Sequence, residues 1–288
     1  MGLRPNIRLR AHQRGVRELI RMPLYLLKFG GNAIRGHDDM MRLSREVAEM
    51  KDAGCDVILV HGGGPEISAE MEKRGMTPRK VAGVRITDAD SLEVAEIVLR
   101  RINAEMVECL DECDLTAVGI PGYFCTVCTR KPPMTVDGEE VDLGLVGEVS
   151  GTDPSSLGDL LDQGIVPVVY PIGKDAEGGM LNINADTMAA GIAAGMGVTE
   201  MVAITDVPGI LRDVRDPSSK IDEVTLSQVD ALIADGTISG GMIPKVEACR
   251  KALEAGASAV RMVDGTDRNS IVTDVIKGIP HGTLILKG

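Results

Sequence analysis

The chain has 288 residues, 44 % of them hydrophobic and 26 % charged, and a formal net charge of −12. That length supports one large or two modest domains whose core needs no disulfide or metal staple. The acid excess argues against a general nucleic-acid binder, which needs a basic face to displace counterions, yet Gly loops, helix N-termini and a few lysines can still hold one small polyanion.

In chain order, residues 1–22 come first and stand apart. They carry Arg4, Arg8, Arg10, Arg14, Arg17 and Arg21 against Glu18 alone, a net +5 where the remainder is −17. Val16, Leu19 and Ile20 fall on one helical face, so a short basic helix packing on a neighbour is expected. An Arg-rich transit segment is the alternative, but the Ser content of one is missing. A strand is expected over 24–29, a helix over 39–53 and a strand over 56–60. Thr87 with Asp90 three residues on reads as a capping box opening a helix to about residue 113. Continuous apolar runs at 115–120 and 165–170 read as buried strands. Helices are expected over 185–196, 226–234 and 242–255, and strands over 201–205, 259–263 and 283–286. Strand–helix alternation of this kind implies a mostly parallel sheet covered by helices on both faces. The stretch 122–151 breaks the rhythm, and Asp137-Gly138 suggests a hairpin. The polar run 173–179 is taken as a boundary between two lobes, 23–175 and 176–288.

Several routes to function are absent. There is no G-x-x-x-x-G-K-[ST], no H-R-D with D-F-G, no G-x-G-x-x-G between a strand and a helix, no G-x-S-x-G and no H-E-x-x-H. No apolar run reaches the ~18 residues of a membrane-spanning helix. Six Cys with no secretory signal ahead of them point to reduced thiols and a cytoplasmic setting. Cys109, Cys113, Cys125 and Cys128 have a spacing open to zinc. Residues 125 and 128 of one strand would point to opposite faces, however, so no metal site is expected.

Two Gly clusters are present instead. Gly30-Gly31 follows the first strand and Gly62-Gly63-Gly64 follows the second. Gly at the carboxyl end of a parallel strand lets backbone N–H groups approach a ligand. Two such loops from consecutive strands suit one shared anion. Lys28, inside an apolar strand and just before a Gly-Gly loop, needs a partner or a site. Lys245 sits near a helix N-terminus, against the dipole, which hints at an anion there. Asn184 suits an N-cap and Asp186 a first helical turn. Neither reason accounts for Asn182.

Seven segments then occur in order: KFGGNA (28–33), VHGGGPEIS (60–68), GVRITD (83–88), VDLGLVGEV (141–149), NINADTMAAGIAAGMG (182–197), ITDVPGI (204–210) and GGMIPKVEAC (240–249). Together they resemble the amino-acid kinase family, and within it the N-acetylglutamate kinases. The resemblance implies a three-layer α/β sandwich with a mainly parallel, eight-stranded sheet. The N-terminal lobe would hold the acyl amino acid and the C-terminal lobe ATP. It implies Lys28 and Lys245 on the transferring phosphoryl group, with Asp186 holding both lysines in place. Gly30, Gly31 and Gly62 would bind phosphoryl oxygens, Gly63, Gly64, Arg85 and Asn182 the acyl amino acid, and Asp206 and Gly209 the nucleotide. Mg2+ would ride on the nucleotide phosphates. The implied activity is phosphorylation of the side-chain carboxylate of N-acetyl-L-glutamate, in a homodimer or a hexamer built through the N-terminal helix. A kinase of another acyl amino acid, such as carrier-bound aminoadipate, and a catalytically silent sensor are the alternatives. The chain departs from the family where GIPGYFCTVCTRK replaces a Gly-Lys-Asp turn, and its C-terminal end is short.

Overall fold

Period-two alternation along the central strands decides the layering. The computed structural model describes residues 22–30, 33–34, 36–136, 138–267 and 270–288; the basic segment 1–21 and Gly31 lie outside the described residues. The first part runs β1 (Leu24–Phe29), α1 (His37–Asp52), β2 (Asp56–His61), α2 (Gly64–Lys73), β3 (Lys80–Val81), β4 (Val84–Arg85), α3 (Ala89–Asp111) and β5 (Ala117–Pro121). Then come β6 (Thr126–Arg130), β7 (Met134–Val136), β8 (Glu139–Val141), β9 (Val146–Thr152), α4 (Pro154–Asp162), β10 (Val166–Tyr170), β11 (Ile172–Lys174) and β12 (Met180–Ile183). The last part is α5 (Ala185–Met196), β13 (Glu200–Thr205), β14 (Glu223–Thr225), α6 (Leu226–Ala234), α7 (Met242–Ala255), β15 (Val260–Asp264) and β16 (Thr283–Leu286).

Eight strands form one sheet in the order β14-β16-β15-β13-β1-β2-β10-β5. All its pairings are parallel except β15 with β16. Leu27, Val57, Leu59, Val168, Val202 and Ile204 face one side, where α1, α2 and α3 cover them. Leu26, Ile58, Val60, Val169, Met201 and Ala203 face the other, under α4 to α7. Each such aliphatic side chain contributes about 1.5–3 kcal/mol when fully buried. The outcome is the expected three-layer α/β sandwich. A four-stranded sheet, β11-β12-β9-β6, adjoins it, and β7 and β8 form the expected hairpin. The polar run 173–179 is the tip of the β11–β12 hairpin, closed by Asp175 N–H on Gly179 O at 3.0 Å.

The start of α3 differs from expectation. Its N-cap is Asp88, whose carboxylate accepts from Ser91 N–H at 2.8 Å. Thr87 cannot cap because the chain there is bridged to Gly144, and its hydroxyl donates to Arg85 O at 2.9 Å. Cys125 precedes β6 rather than lying in it, and a bulge sits between Val127 and Cys128, so both thiols are buried. Among the described residues no group of three His, Cys, Asp or Glu could hold a metal ion, and no helix is long and apolar enough to cross a membrane.

Two buried polar networks tie the layers together. Arg261 of β15 forms a two-pronged pair with Glu200 of β13, at 2.6 and 3.0 Å, and also bonds Asp274 at 2.5 Å. The second oxygen of Asp274 accepts from the N–H groups of His281 and Gly282, which pins the approach to β16. On the same face of the sheet, across β1, His61 is fully buried at the end of β2 and stacks on Phe29, with ring centroids 5.8 Å apart. Burial lowers its pKa to about 4.

Both networks yield predictions. Replacing Asp274 by Ala leaves one arm of Arg261 and two N–H groups without a partner, and should remove about 3 kcal/mol or more of stability in urea unfolding. For His61, the unfolded imidazole takes up a proton below about pH 6.5, whereas the folded one stays neutral down to about pH 4. Its contribution is complete above pH 6.5 and is lost as pH falls towards 4, to a total of about 3 kcal/mol. Unfolding free energy measured across that window should fall more steeply in the wild-type chain than in a His61→Asn variant.

Candidate active site

Strand β1 is the topological switch point. From it the chain steps to β2 on one side and, much later, places β13 on the other. In an open α/β sheet the crevice for a ligand opens beyond the carboxyl ends of strands that part in this way. The predicted residues gather there. Lys28 shares the face of Leu26, so it points towards α5, and its ammonium lies 2.7 Å from Asp186 in the first turn of that helix. Asn184 caps α5 through the N–H groups of Asp186 and Thr187, at 2.8 and 3.2 Å, which fixes where the carboxylate stands.

Lys245 lies in the first turns of α7, whose N-cap, Gly241, offers no side-chain acceptor. Its ammonium pairs with Asp206, just beyond the end of β13, at 2.5 Å. This corrects the expectation that Asp186 holds both lysines: each has a carboxylate of its own, and among the ion pairs of the described residues none joins Asp186 to Lys245. The two pairs share one edge of the sheet. Cys249, one turn beyond Lys245, is buried against the first pair, and burial followed by the Asp186 carboxylate pushes its thiol up to about 12.

The glycine loops converge on the same edge. Gly62 N–H donates to Phe29 O at 2.9 Å, and a Cβ on Gly30 would stand 3.2 Å from the Gly62 backbone. Gly30 has φ +156°, and Gly62 faces Ala185 at the start of α5. Gly63 is pressed by α3, since a Cβ there would reach 2.8 Å from Ile102. At Gly64 the space is open. Among the described residues neither Gly63 N–H nor Gly64 N–H has an acceptor. These groups form the N-terminus of α2, a favourable place for an anion. Gly209, at φ +125°, sits where a Cβ would stand 2.5 Å from the Thr283 hydroxyl, so packing on β16 already explains it.

Arg85 is 7 % exposed and has no carboxylate partner among the described residues. Its guanidinium donates to Ser68 Oγ at 2.8 Å, Gly64 O at 3.0 Å and Met71 Sδ at 3.1 Å. Burial alone pulls its pKa below the usual arginine value. A held, desolvated guanidinium of this kind suits a bidentate carboxylate. Asn182 of β12 donates to Thr87 Oγ1 at 3.1 Å, and Thr87 in turn bonds Arg85 O, so Thr87 joins the two predicted substrate residues. Sequence reasoning spent Thr87 on a helix cap. The signal for its other role was the unexplained Asn182. Asn103 and His61 were also passed over, although a polar residue within the apolar stripe of α3 marked the first.

The arrangement concentrates cations and unpaired N–H groups around a crevice, with two carboxylates that steady the cations. Comparisons with known proteins agree with that description. The acetylglutamate kinase of Methanothrix thermoacetophila is 38 % identical over 265 residues, covering 91 % of this chain and 92 % of that protein. The acetylglutamate kinase of Methanobrevibacter smithii is 37 % identical over 270 residues, with 91 % and 92 % covered. Among solved structures, carbamate kinase from Giardia lamblia bound to AMP-PNP superposes with a TM-score of 0.67 at 17 % identity, over 93 % of this chain and 99 % of that one. N-acetylglutamate synthase from Neisseria gonorrhoeae, complexed with coenzyme A and L-arginine, gives 0.78 at 20 % identity; 96 % of this chain spans only 65 % of that one. These two likenesses show the fold. With the amino acid kinase family matching residues 23–264, the chain belongs to that family.

Proposed function

We propose that the chain transfers the γ-phosphoryl group of ATP to the side-chain carboxylate of N-acetyl-L-glutamate, giving the acyl phosphate and ADP in arginine biosynthesis. One observation carries the reading: two lysines, each steadied by its own carboxylate, at the edge where β1 and β13 end beside paired glycine loops. The acetylglutamate kinase relatives support the choice of acceptor.

A carboxylate oxygen attacks the γ-phosphorus while the bond to the bridging oxygen breaks and its electron pair leaves with ADP. The acceptor is already ionised near neutral pH, so no general base is needed, and catalysis reduces to positioning and fixed positive charge. Lys28 and Lys245 supply that charge from opposite sides of the switch point. The N–H groups of Gly30, Gly63 and Gly64 donate to phosphoryl and substrate oxygens, whereas Gly62 N–H is already taken by Phe29 O and serves to hold the loop; Arg85 clamps the α-carboxylate of the acyl amino acid, and Asn182 binds the same molecule. Asp206 sets Lys245 and thereby the nucleotide end. With Asp186 and Asp206 each engaged by a lysine, the donor set suits a magnesium ion carried on the nucleotide's own phosphates. That ion would neutralise phosphate charge. We further propose a homo-oligomer, an assembly for which the amphipathic, basic segment 1–22 is suited.

Coupled ADP release across N-acetylglutamate, glutamate, aminoadipate and carbamate tests the assignment. N-acetylglutamate should be strongly preferred, because the charged amino group of free glutamate would stand where the acetamide belongs. Equal turnover of those two sinks the assignment. Lys28→Ala and Lys245→Ala should each lower kcat by about 10²–10³ with a smaller change in KM. Because Lys245 and Asp206 act as one unit, the double variant Lys245→Ala with Asp206→Asn should lose little more than Lys245→Ala alone. Additive losses would separate the two residues.

A further inference from the structure

The buried face of α3 contains one amide, Asn103, 4 % exposed among Leu99, Ile102 and Met106. It fits only because residue 119 of β5 is Gly: a Cβ there would stand 1.8 Å from Asn103 Oδ1. Asn103 Nδ2 donates to Val168 O at 2.9 Å and lies 3.1 Å from His61 Nε2. A carbonyl can only accept, so the amide atom beside Val168 O must be the amino group. The same amino group faces His61 Nε2, which must therefore be unprotonated. The imidazole proton then sits on Nδ1 and donates to Gly62 O at 2.9 Å.

The consequence reaches the crevice through one peptide unit. All peptide bonds among the described residues are trans, and in a trans peptide the N–H points opposite to the C=O. With Gly62 O held back against the His61 ring, Gly63 N–H is turned the other way, and among the described residues no group accepts from it.

We propose that His61, fixed in its Nδ1–H tautomer by Asn103, is a positioning residue that turns the Gly62–Gly63 peptide so that Gly63 N–H meets the phosphoryl group during transfer. The role rests on the phosphotransferase reading above. Neither residue touches substrate; the effect passes through the Gly62 carbonyl. A packing role alone predicts a different order of variants. Leu would fill the apolar niche of His61 beside Phe29 and be tolerated, whereas Asn would be the more disruptive replacement.

The test compares full-length wild type, His61→Leu and His61→Asn. Asn places an N–H near the position of Nδ1, so it can still donate to Gly62 O. His61→Leu should lose about 10²-fold in kcat with little change in KM, and His61→Asn should recover most of it even where its melting temperature is lower. Activity that follows melting temperature instead overturns the proposal. Two spectroscopic readouts need no turnover. Long-range 15N spectra of the wild type should show His61 with bare Nε2 and protonated Nδ1 over about pH 5 to 8; an Nε2–H tautomer refutes the inference. The Gly63 amide resonance should move when a non-hydrolysable ATP analogue is added to wild type and to His61→Asn, but not to His61→Leu. A Gly63 resonance that stays still in wild type also refutes it. Failure of the wild type to phosphorylate N-acetylglutamate would fall on the preceding reading, while these spectra still decide the part played by His61.

Discussion

Strand β1 is hydrogen-bonded along both edges, to β2 and to β13, and its carboxyl end is where the two halves of the sheet diverge. Everything that gives this protein its chemistry is arranged around that end. Alternation along the strand sends Lys28 towards α5 and Phe29 towards α3, so neighbouring residues serve different layers. One meets a carboxylate and the crevice, the other supports the ring that holds the next loop. A register slip of one residue would exchange the two and bury the ammonium in an apolar layer.

The electrostatics resolve an apparent conflict. An acidic chain is a poor general partner for polyanions, yet its crevice is locally cationic. The conflict disappears because the positive groups are few and held in place. Arg85 is fixed by a sulfur, a carbonyl and a hydroxyl, and among the described residues no carboxylate cancels it. Both lysines are steadied by carboxylates at the start of α5 and beyond β13, which orders them ahead of any ligand. Preorganised charge of this kind needs little rearrangement when phosphate arrives.

How much of this was legible in the sequence depends on the range of the interaction. The strand and helix pattern, the sheet with helices on both faces, and the places of Lys28, Arg85, Asn182, Asp186 and Lys245 followed from local signals or family motifs. The partner of Lys245 did not: the family motif assigned it Asp186, and only tertiary distance selects Asp206. Thr87 was misread for a related reason: Thr87 and Asp88 both suit a cap, and a bridge to Gly144 decides between them. The link between Asn103 and His61 is likewise tertiary: it exists only because the sheet brings β2, β10 and α3 together. The second sheet, β11-β12-β9-β6, was also beyond local reasoning, since its strands are short and their pairing is set by contacts far apart in sequence.

Gly119 carries a consequence of its own. It lies on β5, the outermost strand of the large sheet, remote from the crevice and without a positive φ to require it. Its hydrogen atom is nevertheless the space in which the Asn103 amide sits. The identities at positions 103, 119 and 61 are therefore not independent. Any side chain at 119 evicts the amide, and with the amide goes the donor at Nε2 that, with the Gly62 carbonyl at Nδ1, tells the imidazole which nitrogen to protonate. A relative with a larger residue at that strand edge must hold its glycine loop by some other means. Changes at these three sites should accordingly enter and leave a lineage together.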